Sequence, residues 1–175
     1  PLTTHDLNGD GILDAISNQQ GLSRVGLAVG DFSGDGLDDV VLAAANELIL
    51  QENLGDGTFG SRLLRQDIPQ ASDIIAQDIN HDGLLDIIGS GGFGVSDVLF
   101  TVMAQGVGRL GPASQRPSNG NTVRFLATDF DQNGGLDFAS LGQFSPDILL
   151  DEGPPPVVFQ TVDTLPISNR PQNID

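Results

Sequence analysis

The stretch GDFSGDGLDDVVLA, residues 30–43, decides the fold. It opens with a nine-residue loop in which Asp31, Ser33, Asp35 and Asp39 hold positions 1, 3, 5 and 9, with Gly36 at position 6. It then runs into β-branched and aliphatic residues, the composition of a buried strand. The same loop is written three more times, as DLNGDGILD (6–14), DINHDGLLD (78–86) and DFDQNGGLD (129–137). The equivalent oxygen-bearing side chains are Asp6, Asn8, Asp10 and Asp14; Asp78, Asn80, Asp82 and Asp86; and Asp129, Asp131, Asn133 and Asp137. Position 6 is glycine every time, and position 7 is Ile12, Leu37, Leu84 or Gly135.

Three readings of such a loop compete: an acidic surface turn, a truncated EF-hand, or a metal loop of another kind. Asp, Asn and Gly favour turns on their own account, but four copies with the same oxygen positions are poorly explained by chance. An EF-hand requires a bidentate Glu at position 12 between helices; here position 12 is Ser17, Leu42, Gly89 or Ser140. A dockerin-like reading fails as well, since helices should follow its loops. Alternate spacing on a tight turn aims the oxygens of positions 1, 3, 5 and 9, and the carbonyl of position 7, at one centre. Hard oxygen ligands with three carboxylates per site suit Ca²⁺ better than Mg²⁺. The expectation is about four calcium sites built from these residues. Site 4 is the least regular, and site 2 carries an extra acid, Asp38, expected to face solvent.

The charge balance agrees. Acidic residues number 24 against 7 basic ones, a formal charge of −17. Twelve of the acids stand at the loop positions just named, where like charges repel unless a cation intervenes. The same balance argues against a nucleic-acid partner. No apolar run approaches the roughly 18 residues of a membrane-spanning helix. With no cysteine, thiolate and disulfide chemistry are absent.

The first aspartates of the loops stand at 6, 31, 78 and 129, spacings of 25, 47 and 51. An interval near 50 accommodates four short strands; 25 accommodates two. Short apolar runs precede the loops (GLAVG, DIIAQ, RFLAT) and follow them (DVVLAAA, DIIGSG, DFASLG). Third strands read from ELILQE, DVLFTVM and DILLDE, and fourth strands from GTFGSRLL, GRLGPAS and VVFQTV. No helical periodicity lasts beyond about two turns. The apolar residues at loop position 2 (Leu7, Phe32, Ile79, Phe130) are expected to anchor the loops to the core. Residues 112–121 and Pro154–Pro156 read as loops, and Asp56-Gly57 as a hairpin turn rather than a fifth metal loop.

These loops and flanking strands, with ENLGDGTFG as a closing turn, resemble the FG-GAP/VCBS repeat family. These are the calcium-loop blades of integrin-alpha-type β-propellers. The resemblance implies an all-β, β-propeller-like array in one domain spanning 1–175, with three full four-stranded antiparallel blades, a two-stranded half blade and Ca²⁺ loops. It also implies an extracellular or cell-surface setting and a role in adhesion, ligand binding or scaffolding. The short first interval departs from the family pattern. Joined end to start, RPQNID and PLTTHD read as a run into the next loop. Three explanations stand side by side: a piece of a longer propeller, closure of a small one, or contact between copies in an oligomer or filament.

Catalysis is not expected. His5 precedes a loop and His81 sits at a solvent-facing loop position, with no nucleophile–base pair signalled. A self-associating structural or adhesion module is the leading reading, with a carbohydrate- or protein-ligand-binding propeller domain as the alternative. The absence of Trp and Tyr weighs against a sugar platform.

Overall fold

Short apolar runs between glycine-rich turns cannot bury both faces alone, so they assemble into stacked sheets. The computed structural model describes residues 2–7, 14–17, 26–65, 67–93, 96–117, 122–130, 132–133, 137–142, 146–151 and 159–164. Asn8, Asp10, Ile12, Asp131, Gly135 and the Pro154–Pro156 run lie outside these residues.

Among the described residues every element is a strand. A two-stranded antiparallel sheet joins β1 (Leu2–His5) to β2 (Asp14–Ser17). The first four-stranded sheet holds β3 (Gly26–Gly30), β4 (Asp39–Ala44), β5 (Glu47–Asn53) and β6 (Phe59–Arg65). The second holds β7 (Ala71–Gln77), β8 (Asp86–Phe93), β9 (Ser96–Gly106) and β10 (Arg109–Pro117). The third holds β11 (Thr122–Thr128), β12 (Asp137–Gly142), β13 (Pro146–Asp151) and β14 (Phe159–Thr164). Each is an antiparallel meander in chain order, and among the described residues the row of sheets is not closed.

The acidic loop always joins a sheet's first two strands, so strand register fixes where each loop residue lies. Sheets stack through the residues that alternate onto their faces. Between the first and second sheets lie Ala28, Phe32, Val41, Leu50, Ile74 and Ile87, all buried in one cluster. Between the second and third, Ile79, Ile88 and Leu99 pack with Ile75, Met103 and Ala127. Fully burying a side chain such as Val41 or Leu50 contributes about 1.5–3 kcal/mol.

One expectation is corrected here. Residues 115–117 are strand, not loop, and continue the GRLGPAS run because β9 runs to 11 residues and offers them a partner; 118–121 lie outside the described residues. Pro112 is tolerated because β10 is an edge strand and the register shifts between Leu110 and Ala113, where no ladder N–H is required.

Candidate functional site: the acidic loops

Loops 31–39 and 78–86 are described throughout, and they repeat one hydrogen-bond scheme. The position-1 carboxylate sits at the centre of the turn and accepts from the loop's own backbone. Asp31 accepts from Gly34 N (2.6 Å), Asp35 N (3.2 Å) and Gly36 N (2.9 Å). Asp78 accepts from Asp82 N (3.1 Å) and Gly83 N (2.8 Å), and Asp129 from Asn133 N (3.1 Å). At position 5, Asp35 and Asp82 accept from the N–H of Leu37 and Leu84. Asn80 turns its amide onto Asp82, donating from Nδ2 at 2.9 Å.

Position 9 does something different. Asp39, Asp86 and Asp137 open the second strand of each sheet and are fully buried, at 0% exposure. One oxygen of each accepts from the position-2 N–H: Phe32 (3.0 Å), Ile79 (3.0 Å) and Phe130 (2.6 Å). Asp39 also accepts from Ser33 N at 2.8 Å. The other oxygen reaches the end of the third strand, accepting from Asn53 N (2.8 Å) in the first sheet and Ala104 N (2.6 Å) in the second. The last acid of the loop is therefore a buried brace between loop and sheet. Burial pushes the Asp86 carboxyl above the usual carboxylate range; N–H bonds from Ala104 and Ile79 oppose this, and the Asp82 and Asp78 charges add to it.

The turn needs left-handed backbone twice. Position 6 has φ 89° at Gly36 and 84° at Gly83, as expected of glycine. Position 4 is left-handed as well, at Gly34 (78°), His81 (59°) and Gln132 (63°), a requirement hidden in the sequence by varied residues. His81 is exposed, as expected. A Cβ at Gly83 would meet nothing within 4 Å, so substitution there isolates the backbone cost. Gly83→Ala is expected to lower stability by about 1–2 kcal/mol, read as a shift in the urea midpoint. An unchanged midpoint would show that the turn relaxes freely.

Two residues outside the loop scheme join the site. Asn53, 2% exposed, donates from Nδ2 to the carbonyls of Leu7 (2.6 Å) and Asp38 (3.1 Å), tying loop 6–14 to the first sheet. Its only sequence signal was a polar residue ending an apolar strand. Asp38 is partly exposed. The Asp56-Gly57 turn forms as expected, with Gly57 at φ 83° and the Thr58 hydroxyl and N–H holding the Asp56 carboxyl below its ordinary value. Of the position-2 anchors, Phe32 and Ile79 are buried at 5% and 2% and Leu7 is half-buried, but Phe130 is 45% exposed.

Among the described residues, no three acidic or histidine side chains converge closely enough to hold a metal ion as they stand. Their oxygens are folded onto backbone N–H groups instead. The donor set nonetheless fits a hard cation. In loop 31–39, the Asp31 and Asp35 carboxylates and the Ser33 hydroxyl share one nine-residue turn, and the Ser33 Oγ is buried with no hydrogen-bond partner. Beside this loop, between the first two sheets, lies a cleft of about 110 Å³ whose lining includes Asp31, Phe32, Leu84, Leu85, Val107 and Arg109. Arg62 clasps its edge, donating to the Gly108 carbonyl at 2.9 Å.

The match to the FG-GAP-like repeat family falls on residues 31–89, from the first fully described loop through the second and into β8. That segment is similar to an FG-GAP-like repeat. The matched segment holds both loops that are described throughout. Among solved structures, the chain is similar to an Agrocybe aegerita lectin, described for specific recognition of non-reducing terminal N-acetylglucosamine. The identity is 20% and the TM-score 0.61, covering 91% of this chain and 50% of the lectin, so the chain spans about half its length. The likeness is one of fold, a propeller-type stack of sheets. No curated protein matches the chain.

Proposed function

We propose that the chain is a calcium-binding, β-propeller-type structural and adhesion module of the extracellular space or cell surface. It binds ligands or further copies of itself and carries out no catalysis. The observation that carries this reading is the repeated loop. Its position-1 and position-5 carboxylates crowd onto one turn in successive sheets, beside an unpartnered Ser33 hydroxyl. In this reading the four ligand sets are those of loops 6–14, 31–39, 78–86 and 129–137. Calcium there supplies the positive charge that the net −17 lacks.

The test is a calcium titration of chelated protein, by calorimetry and by melting. Each site filled at 100 times its Kd adds about 2.7 kcal/mol, so several sites together move the melting temperature by tens of degrees. A melting curve unchanged between chelator and millimolar calcium sinks the reading. The cleft beside Asp31 and Arg109 supports carbohydrate or protein-ligand binding as a second reading, for which a glycan array is the direct measurement.

A further inference from the structure

Loop position and strand register make the three four-stranded sheets directly comparable. Ala28, Ile75 and Leu126 each stand three residues before a loop's first aspartate. Each pairs with the second strand: Ala28 with Val41, Ile75 with Ile88, Leu126 with Ala139. Together with the position-2 residue of the loop, these define one face of each sheet.

In the first sheet that face is covered by the second: Ala28, Phe32 and Val41 are 6%, 5% and 0% exposed. Leu85 of the second sheet's loop sits so close above it that a Cβ on Gly30 would collide with the leucine methyl. In the second sheet, Ile79 and Ile88 are each 2% exposed and pack with Ala127 of the third. In the third sheet the same face is bare, with Leu126 60% and Phe130 45% exposed. A scattered exposed leucine needs no explanation. Two large apolar residues at matching positions of an interface used twice already do need one.

In both existing interfaces this face is covered by the following sheet, through Ile74, Ile87, Phe100 and Val102 in the first and Ala127 in the second. Among the described residues, one strand pair with an acidic loop stands outside the four-stranded sheets, β1–β2, and the Leu7 carbonyl that follows β1 is held by Asn53 of the first sheet. Among the described residues the row is open, and the chain spans half the length of the lectin whose fold it shares, so a second row of equal size would match that length.

We propose that the Leu126–Phe130 face docks the β1–β2 sheet of a second copy, head to tail. Two such contacts close a symmetric dimer. This rests on the stacked-sheet module proposed above and not on its calcium or glycan binding. A chain indifferent to both ions and sugars still dimerises, and a monomer that binds calcium fails here alone.

The experiment is light scattering coupled to size exclusion on the 175-residue chain, in calcium, across micromolar concentrations. The wild type is expected at the mass of two chains. Leu126→Asp/Phe130→Asp is expected at the mass of one, with association weakened about 100-fold or more, and with far-UV circular dichroism unchanged because both side chains are already exposed. Should the double variant lose its fold, Leu126→Lys alone decides by the same mass shift. Leu54→Asp, at an equally exposed site on the β5–β6 turn, keeps the two-chain mass. A one-chain wild type, a two-chain double variant, or equal dissociation by Leu54→Asp overturns the proposal.

Discussion

Asp39→Ala is expected to lower the unfolding free energy by about 4 kcal/mol, and to do so equally in calcium-free buffer. The carboxylate is fully buried and accepts from three backbone donors, Phe32 N, Ser33 N and Asn53 N. Removing it strands those N–H groups, two of them in bonds buried between loop and sheet, at about 1–3 kcal/mol apiece. The relief of desolvating a charge returns part of that sum. An asparagine would not rescue the site, because its NH₂ would oppose an N–H on one side of the brace; Asp39→Asn is therefore expected to lose most of the same stability. Urea unfolding in excess chelator is the deciding measurement. If the deficit exists only in calcium and vanishes in chelator, Asp39 is a ligand alone and the brace is wrong. By contrast, Asp35 is exposed and accepts one local N–H, so Asp35→Asn should matter chiefly when calcium is present.

This division of labour within nine residues was only half legible in sequence. Alternate oxygens and the position-6 glycine marked the loop, and the flanking Val, Ile and Leu runs placed its strands correctly. The burial of Asp39, Asp86 and Asp137 was not legible, since an aspartate that caps backbone N–H groups is spelled the same way as one that faces an ion. Nor was the left-handed position 4. Gly34, His81 and Gln132 share a conformation without sharing a residue type. Residues 115–117 read as loop, yet the long β9 offers them a partner and makes them strand. The exposure of Phe130 escaped sequence too: its pattern matches Phe32, and only the stacking order shows that no following sheet among the described residues buries it.

Gly91→Ala is expected to be the other most damaging change, with a loss of about 3 kcal/mol or more. Gly91 lies in β8, paired with Val98 on one side and Ala71 on the other. A Cβ there would collide with the Gln70 carbonyl oxygen and lie 2.7 Å from its carbon. Those atoms are backbone and cannot swing aside as a side-chain tip would. The same carbonyl accepts from Gly92 N at 3.0 Å, so moving it also breaks the bond that pins the entry to β7. Ala71 and Ile68, at 1% and 2% exposure, then lose their seats in the cluster shared by the first two sheets. Gly89→Ala offers a graded comparison. Its Cβ would run into the Phe100 ring, but a ring can tilt where a main chain cannot, so a smaller loss is expected. Chemical denaturation of the two variants side by side measures the difference. Gly91→Ala with the wild-type midpoint, or a larger loss at Gly89 than at Gly91, would show that the main chain around Gln70 yields more readily than side-chain packing does.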